Sequence, residues 1–340
     1  MKEHNSTVLL YYYFVKIDDP EHLASQQRFL CQKHGLKGRI LIANEGINGT
    51  IAGSVEGIQA YQTAMRSDSR FESMEFKISH HERMPFPKLM VKIRPEIVTL
   101  GANMPLDTAQ EGGTHLSPAE WKRMIEEDKD VVLFDTRNRY ESDIGKFKDA
   151  ICPNTENFRD LPDALSNYEQ YKDKKFLMYC TGGIRCEKAT VLFKKAGFKN
   201  VFQLQGGIVN YWKEEGHSHW EGDCFVFDER MYLKPPGTVE EVTSIGRCVH
   251  SNQPTSHFIN CLHDQCHKLI LVHPDLIEED SLNQICPTCR EKGFNLETAI
   301  YPGSPAQQAK KTPKTRKNRL SRKRSINNEP NPNPETSQSH

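Results

Sequence analysis

The chain has 340 residues, of which 36% are apolar, 26% are charged and ten are cysteines. One domain per ~150 residues is the usual scale, so two or three domains are expected. With a mean hydropathy of −0.67 and no apolar run near the ~20 residues that cross a bilayer, a membrane protein is excluded. The formal net charge of zero hides a segregation: residues 310–340 hold nine Lys/Arg and two acids, +7, against −7 for the remainder. Such a block marks an interaction tail. The N-terminal MKEHNSTVLLYYYFVKIDD carries Glu3, lacks a small-residue cleavage site and runs directly into a strand-like stretch, so no secretory signal is read and a cytoplasmic protein is expected. Ten cysteines in that setting point to metal binding or thiol chemistry and away from a disulfide framework.

Along the first hundred residues strand and helix signals alternate. Strand-like VLLYYYFVKI leads to PEHLASQQRFLCQKHG, in which Leu23, Gln27, Leu30 and Cys31 share a helical face and Gly35 is a natural stop. LKGRILIANEGINGTIAG holds two β-rich runs about an Asn-Glu-Gly and an Asn-Gly turn, a hairpin or a bulged pair. VEGIQAYQTAMRSD is a second helix, and FESMEFKISH and KLMVKIRPEIVTL supply the last strands. The order approaches β-α-β-β-α-β, so residues 1–101 are predicted to form a ferredoxin-like α+β domain.

Residues 102–112 are turn formers without periodicity and serve as a linker. A second domain is expected over 113–222. Ser117 followed by Pro118 and Glu120 is an N-cap with proline at the first helical position, opening AEWKRMIEED. The short apolar runs VVLFDT, KFLMYC and NVFQLQ, with the helix TVLFKKAG between the last two, predict a parallel α/β sheet. Residues 223–303 turn Cys- and His-rich, and residues 304–340 are too polar to form a core and are expected to be disordered.

The sharpest chemical feature is KFLMY followed by CTGGIRC and a helix. A thiol where a parallel strand hands over to a helix lies at the C-terminal edge of the sheet, where open α/β folds bind ligands. Cys180 there also faces a helix N-terminus, whose free N–H groups and dipole favour the thiolate. Thr181, Gly182, Gly183 and Ile184 form the rest of the loop; the two glycines let successive N–H groups point inward as an anion nest, and Arg185 adds a fixed positive charge. Cys186, one helical turn on, either resolves an oxidised or persulfidated Cys180 or packs inside the helix.

FDTR at residues 134–137, the Cys180 loop, and NVFQLQGGIVNYW with Gly206, Gly207 and Trp212 resemble the rhodanese family over about residues 113–222. In that family the loop cysteine accepts sulfane sulfur as a persulfide. Cys180 to Arg185 is C-x4-R, one residue shorter than the loop of the related dual-specificity phosphatases, which disfavours a phosphatase. Asp135 and Arg137 are by the same resemblance a scaffold ion pair behind the site. NEGINGT at 44–50, PFPKLMVKIRPEIVTLG at 85–101, DTRNRYE at 135–141 and CTGGIRCEKA together are similar to the tRNA uridine(34) hydroxylases over roughly residues 8–237. That resemblance implies oxygen-dependent formation of 5-hydroxyuridine at the tRNA wobble position, with molecular oxygen as co-substrate, Cys180 as the active cysteine and the tRNA anticodon loop as partner. No G-x-G-x-x-G fingerprint for a flavin or nicotinamide is present.

Cys261-x4-Cys266 and Cys286-x2-Cys289 have the spacing of a structural zinc site, four soft ligands in two close pairs. Cys248 and His250 lie upstream, but Ser251 stands where long members of the similar family carry the second cysteine of a C-x2-C pair, which leaves open whether a second metal is bound there. His263, His267 and His273 are alternative ligands or solvated loop histidines. The tail KKTPKTRKNRLSRKRS has nine positive charges in sixteen residues. It offers sequence-independent affinity for RNA through counterion release, with no aromatic to stack on bases. Lys88, Lys92 and Arg94 read either as a second phosphate-facing stripe or as a solvated sheet face. The leading reading is thus an RNA-modifying oxidoreductase. A persulfide-forming sulfurtransferase, marked by thiocyanate formation from cyanide, and a non-enzymatic RNA-binding adaptor, indifferent to Cys180 alkylation, are the alternatives.

Overall fold

The computed structural model describes residues 6–102, 106–237 and 244–294, so the expected tail at 304–340 lies outside the described residues. The N-terminal sheet contains β1 (Ser6–Phe14), β2 (Lys37–Ala43), β3 (Gly46–Gly53), β4 (Lys77–His81) and β5 (Leu89–Ile93), in the order β4-β1-β3-β2-β5. Helices α1 (Pro20–Lys33) and α2 (Val55–Arg66) connect its strands. The first four strands pair antiparallel in the order expected of a ferredoxin-like unit, and β5 adds to the edge parallel to β2. Each helix starts where its sequence supplies an acceptor: the Asp19 carboxylate takes the His22 N–H at 2.8 Å, and Ser54 Oγ takes that of Gly57 at 3.1 Å.

The strand alternation divides this sheet into two unlike faces. Leu9, Tyr11, Ile40, Ile42, Ile47 and Ile51 are buried in one core with Leu23, Cys31, Ile58 and Tyr61 of the helices. Register pairs Leu10 with Thr50 and Lys77, Tyr12 with Asn48, and Leu41 with Asn48, which places all of them on the opposite face. The hairpin turns at Asn44-Glu45, between paired Ala43 and Gly46, and Asn48-Gly49 is inside β3. The second turn expected from sequence is therefore absent. Glycine is required there for packing, because a Cβ on Gly49 would lie 2.4 Å from the Tyr11 ring.

A short helix α3 (Thr108–Glu111) falls in the expected linker, followed by β6 (Thr114–Leu116), α4 (Pro118–Glu127), β7 (Val131–Asp135), α5 (Arg139–Ser142), β8 (Gly145–Phe147) and α6 (Leu161–Ala164). Then come β9 (Lys175–Tyr179), α7 (Ile184–Lys195), β10 (Asn200–Leu204), α8 (Gly207–Glu215) and β11 (Trp220–Gly222). Four strands make a parallel sheet in the order β6-β10-β9-β7, one strand more than the sequence suggests. Ser117 and Glu120 close a capping box on α4, with the Ser117 N–H donating to Glu120 Oε2 at 2.9 Å. Alternate residues of the central strands feed two cores, Phe134, Phe176 and Met178 on one side and Leu133, Leu177 and Tyr179 on the other. Such two-sided burial explains the unbroken apolar runs.

Beyond β11, β12 (Cys224–Phe225) and β13 (Tyr232–Leu233) form a two-stranded ribbon. Of the described residues, 259–270 and 274–294 belong to a separate compact unit containing α9 (Pro274–Glu279) and α10 (Pro287–Glu291). Among the described residues no helix is long and apolar enough to cross a membrane.

Candidate active site

Cys180 follows the last residue of β9, and α7 starts four residues later, so the thiol and the loop 180–185 occupy the C-terminal edge of the parallel sheet. The Gly183 N–H donates to Cys180 Sγ at 3.0 Å. Gly183 adopts φ 102°, and a Cβ there would stand 2.8 Å from the Tyr12 hydroxyl. Only glycine both turns the chain inward and lets β1 approach. On the other flank Gly207 starts α8 at φ 70°, where a Cβ would meet the Cys180 carbonyl oxygen at 2.5 Å. The N–H groups of Ile208 and Val209 donate to the carbonyls of Cys180 and Thr181 at 3.0 and 3.1 Å. The paired glycines of QGG thereby let one helix end brace the loop of another.

Burial on its own would raise the Cys180 pKa. A hydrogen bond from Cys186, the Arg185 charge, and the N–H groups of Arg185 and Gly183 outweigh it and lower the thiol to about 5. Cys186 shifts the other way, well above the ordinary thiol range, through burial and its role as donor to Cys180. It is fully buried and also lies 3.6 Å from Thr136 Oγ1. Arg185 does not float: Glu141, 0% exposed, grips it with Nη1–Oε1 and Nη2–Oε2 distances of 2.6 and 2.8 Å. A bidentate pair of this kind fixes where the positive charge stands. Asp135 and Arg137 form a second buried pair at 2.6 Å, with the Arg137 guanidinium over the Trp220 ring and donating to the Gly145 carbonyl. Both point into the core beneath the loop, away from the cavity.

Above the loop is a cavity of about 460 Å³. Cys180, Thr181, Gly182, Ile184 and Arg185 line one side of it. The far side is the open face of the N-terminal sheet, with Val8, Leu10, Tyr12, Leu41 and Lys77. Val226, Phe227 and Leu233, residues that by sequence belong with the Cys-rich segment, complete the wall. The two modules are clasped around this space. Lys188, 2% exposed, reaches Glu45 Oε1 at 2.8 Å and Glu96 Oε2 at 2.6 Å, while the Tyr12 hydroxyl donates to Glu187 Oε1 at 3.0 Å. Lys77 Nζ donates to the Gly182 carbonyl at 2.5 Å.

Residues 6–97 match the UPF0176 acylphosphatase like domain, 117–214 the rhodanese-like domain and 221–293 the rhodanase C-terminal domain. A tRNA uridine(34) hydroxylase of Shouchella clausii is 42% identical over 305 residues, covering 88% of this chain and 93% of that protein. One of Staphylococcus carnosus is 42% identical over 297 residues, 86% of this chain and 92% of its own. The chain belongs to the tRNA uridine(34) hydroxylase family. In this member the signature segments have assignable physical work: NEGINGT contributes Glu45 and CTGGIRCEKA contributes Glu187 and Lys188 to the clasp, and the second motif also carries the thiol.

Of the residues singled out from sequence, Cys180, Thr181, Gly182, Ile184 and Arg185 gather at the cavity, Gly183 turns the loop behind them, and Arg94 lines the cavity too. Lys92 pairs with Leu41 and so shares the sheet face of Arg94, whereas Lys88 precedes β5; neither borders the cavity. Glu141, Lys77, Tyr12 and Glu187 were missed. Their signal was faint but present: β1 reads STVLLYYYF, apolar on both faces, and a sheet face of that kind must be covered.

In the separate unit the sulfurs of Cys261, Cys266, Cys286 and Cys289 all lie within 4.8 Å of one another. A tetrahedral metal with bonds near 2.3 Å to sulfur needs edges of about 3.8 Å, and Cys266 Sγ and Cys286 Sγ are 3.8 Å apart. The Cys286 N–H donates to Cys261 Sγ at 3.3 Å, and His263 Nδ1 lies 3.4 Å from Cys289 Sγ. Four soft donors at this spacing fit a metal ion without a histidine. Cys248 and His250 enter no such cluster among the described residues.

Proposed function

We propose that this chain hydroxylates C5 of the wobble uridine of tRNA, and that the Cys180 thiolate is the group that engages the base. The observation that supports it is the Cys180 sulfur, bonded by the Gly183 N–H and beside Arg185, at the floor of a cavity of about 460 Å³ lined by apolar and charged side chains. C6 of uracil is electrophilic. The thiolate lone pair forms an S–C6 bond while the C5=C6 π pair moves toward C5 and O4, giving an enolate whose C5 is nucleophilic toward an oxygen donor. Once C5 bears the hydroxyl, loss of its proton and of the thiolate restores the C5=C6 bond. Molecular oxygen is the proposed source of the added atom; its second atom leaves as water, and the two electrons and two protons this takes come from an external two-electron reductant.

A base must leave its stack to reach a recessed thiol, and an anticodon loop makes that inexpensive. Arg39, Arg94 and Arg159 stand exposed at the cavity and form no ion pair among the described residues, whereas Glu96 and Asp228 beside them are matched by Lys188 and Arg230. We assign these three arginines to phosphates flanking the extruded nucleotide. The four-cysteine cluster is read as a structural zinc site, in which the ion would hold two chain segments together. The test is nucleoside mass spectrometry of tRNA from cells that have or lack this protein, complemented with wild type or Cys180→Ser. Loss of 5-hydroxyuridine derivatives, restored only by wild type, is expected; restoration by Cys180→Ser rejects the role of the thiolate.

A further inference from the structure

Lys77 is a lysine of the N-terminal sheet that ends inside the cavity of the other module. It pairs in register with Leu10 on β1, so its side chain emerges on the covered face of the sheet. The ammonium lies 5.2 Å from the centre of the Tyr12 ring and donates one hydrogen bond, to the Gly182 carbonyl in the cysteine loop. An ammonium has three donors. Among the described residues no carboxylate is bonded to this one, and Lys77 itself lines the cavity together with Cys180. Beyond the bond to Gly182 the ammonium keeps two N–H donors for a group in the cavity that Lys77 lines. Burying a cation without an anion is costly; the Cys180 thiolate shares the cavity, and its field, with those of Glu75 and Glu187, raises the Lys77 pKa against the larger lowering by burial.

We propose that Lys77 is a catalytic residue: it hydrogen-bonds O4 of the uracil and holds the negative charge that arrives there when the Cys180 sulfur bonds to C6. This rests on the hydroxylase reading and deepens it. In the addition one S–C6 bond forms, the C5=C6 π bond is spent, and the electron pair is delocalised to O4; no electrons leave the base, so no oxidant enters this step. A donor placed for the oxyanion strengthens as charge develops and accelerates the step rather than merely tightening binding. Uracil presents an acceptor at O4, whereas cytosine presents an amino donor at C4. An ammonium at this position therefore also favours uridine over cytidine.

The test compares wild type, Lys77→Met and Lys77→Arg as full-length proteins on a tRNA substrate. Loss of one oxyanion donor is expected to lower kcat by about 100-fold with KM for tRNA changed by less than about threefold, and Lys77→Arg should recover about a tenth of wild-type kcat. A tRNA bearing 5-fluorouridine at the wobble position should form a covalent adduct with the protein more slowly in Lys77→Met by a similar factor. Iodoacetamide should alkylate Cys180 at pH 7 within about threefold of the wild-type rate, showing an intact thiolate loop. Wild-type kcat in Lys77→Met, a loss confined to KM, or alkylation that falls in step with turnover each overturns the assignment of Lys77. A wild-type protein that forms no 5-hydroxyuridine overturns the hydroxylase reading and this role with it.

Discussion

Two cysteine sites in one chain show opposite ways of stabilising sulfur. At Cys180 a single thiolate is held by the Gly183 N–H, by a hydrogen bond from Cys186 and by Arg185, inside a cavity open to a ligand. At residues 261–289 four sulfurs are crowded within 4.8 Å of each other, with no Lys or Arg side chain bonded to them among the described residues. The first arrangement favours one negative charge and leaves its nucleophilic lone pair free; the second accumulates charge that only a cation can neutralise. Cysteine by itself predicts neither outcome. What decides is whether the surrounding donors are N–H groups and guanidinium or other thiols.

Exchanging one atom at each site should produce contrasting failures. Cys180→Ser is expected to abolish hydroxylation, a loss of at least about 1000-fold, with metal content unaltered. Cys286→Ser should instead release bound metal and expose residues 259–294 to limited proteolysis, because binding free energy there is folding free energy. Proteolysis that is unchanged in metal-free protein would show that the cluster contributes no folding energy.

Glu141 is the next most sensitive position, since it fixes the guanidinium that the first site depends on. Glu141→Gln leaves Arg185 charged but without its anion in a buried place, which should cost about 3 kcal/mol of stability. It should also lower hydroxylation by about tenfold, a loss measured beside the alkylation rate of Cys180. If Arg185 acts only as bulk positive charge, alkylation will be unaffected.

The sequence made the thiol legible because its environment is local: strand, two glycines, arginine and helix are contiguous, and α7 could be placed from CTGGIRC alone. The zinc-like spacing was legible for the same reason. What was not legible is long-range. Glu141 lies 44 residues before the arginine it grips, and Lys188 is separated from Glu45 by 143 residues. Asn48-Gly49 has the composition of a turn, yet close approach of the Tyr11 ring uses that glycine inside a strand. The cavity itself arises only when the open face of one sheet covers the edge of another, and the residues that announce it, Val8, Leu10 and Tyr12, look from sequence like surplus hydrophobicity.

The titration of the two environments sharpens the comparison further. Cys180 is lowered to about 5 in the folded protein, whereas an unfolded thiol titrates near ~8.5. Between these values the folded chain binds fewer protons than the unfolded one, so this group's contribution is complete above ~8.5 and is lost as pH falls to about 5. Iodoacetamide inactivation should accordingly be flat from neutral pH upward and half-maximal near 5. The pH slope of stability should flatten in Cys180→Ser. A half-maximum near 8.5 would place the sulfur among ordinary thiols.

The clasp should give the smallest effect, and its size distinguishes two accounts of the cavity. Lys188 is buried while its partners Glu45 and Glu96 remain 30% and 25% exposed. In Lys188→Met the two carboxylates therefore regain water rather than being stranded, and the cost should stay near 1 kcal/mol. Cys180 alkylation depends on donors within its own loop and should keep its rate. Hydroxylation, which needs the roof of the cavity over the base, should fall about fivefold through weaker positioning. Equal losses in both assays would mean that the N-terminal sheet maintains the thiolate itself; a loss in hydroxylation alone means that it serves to enclose the substrate.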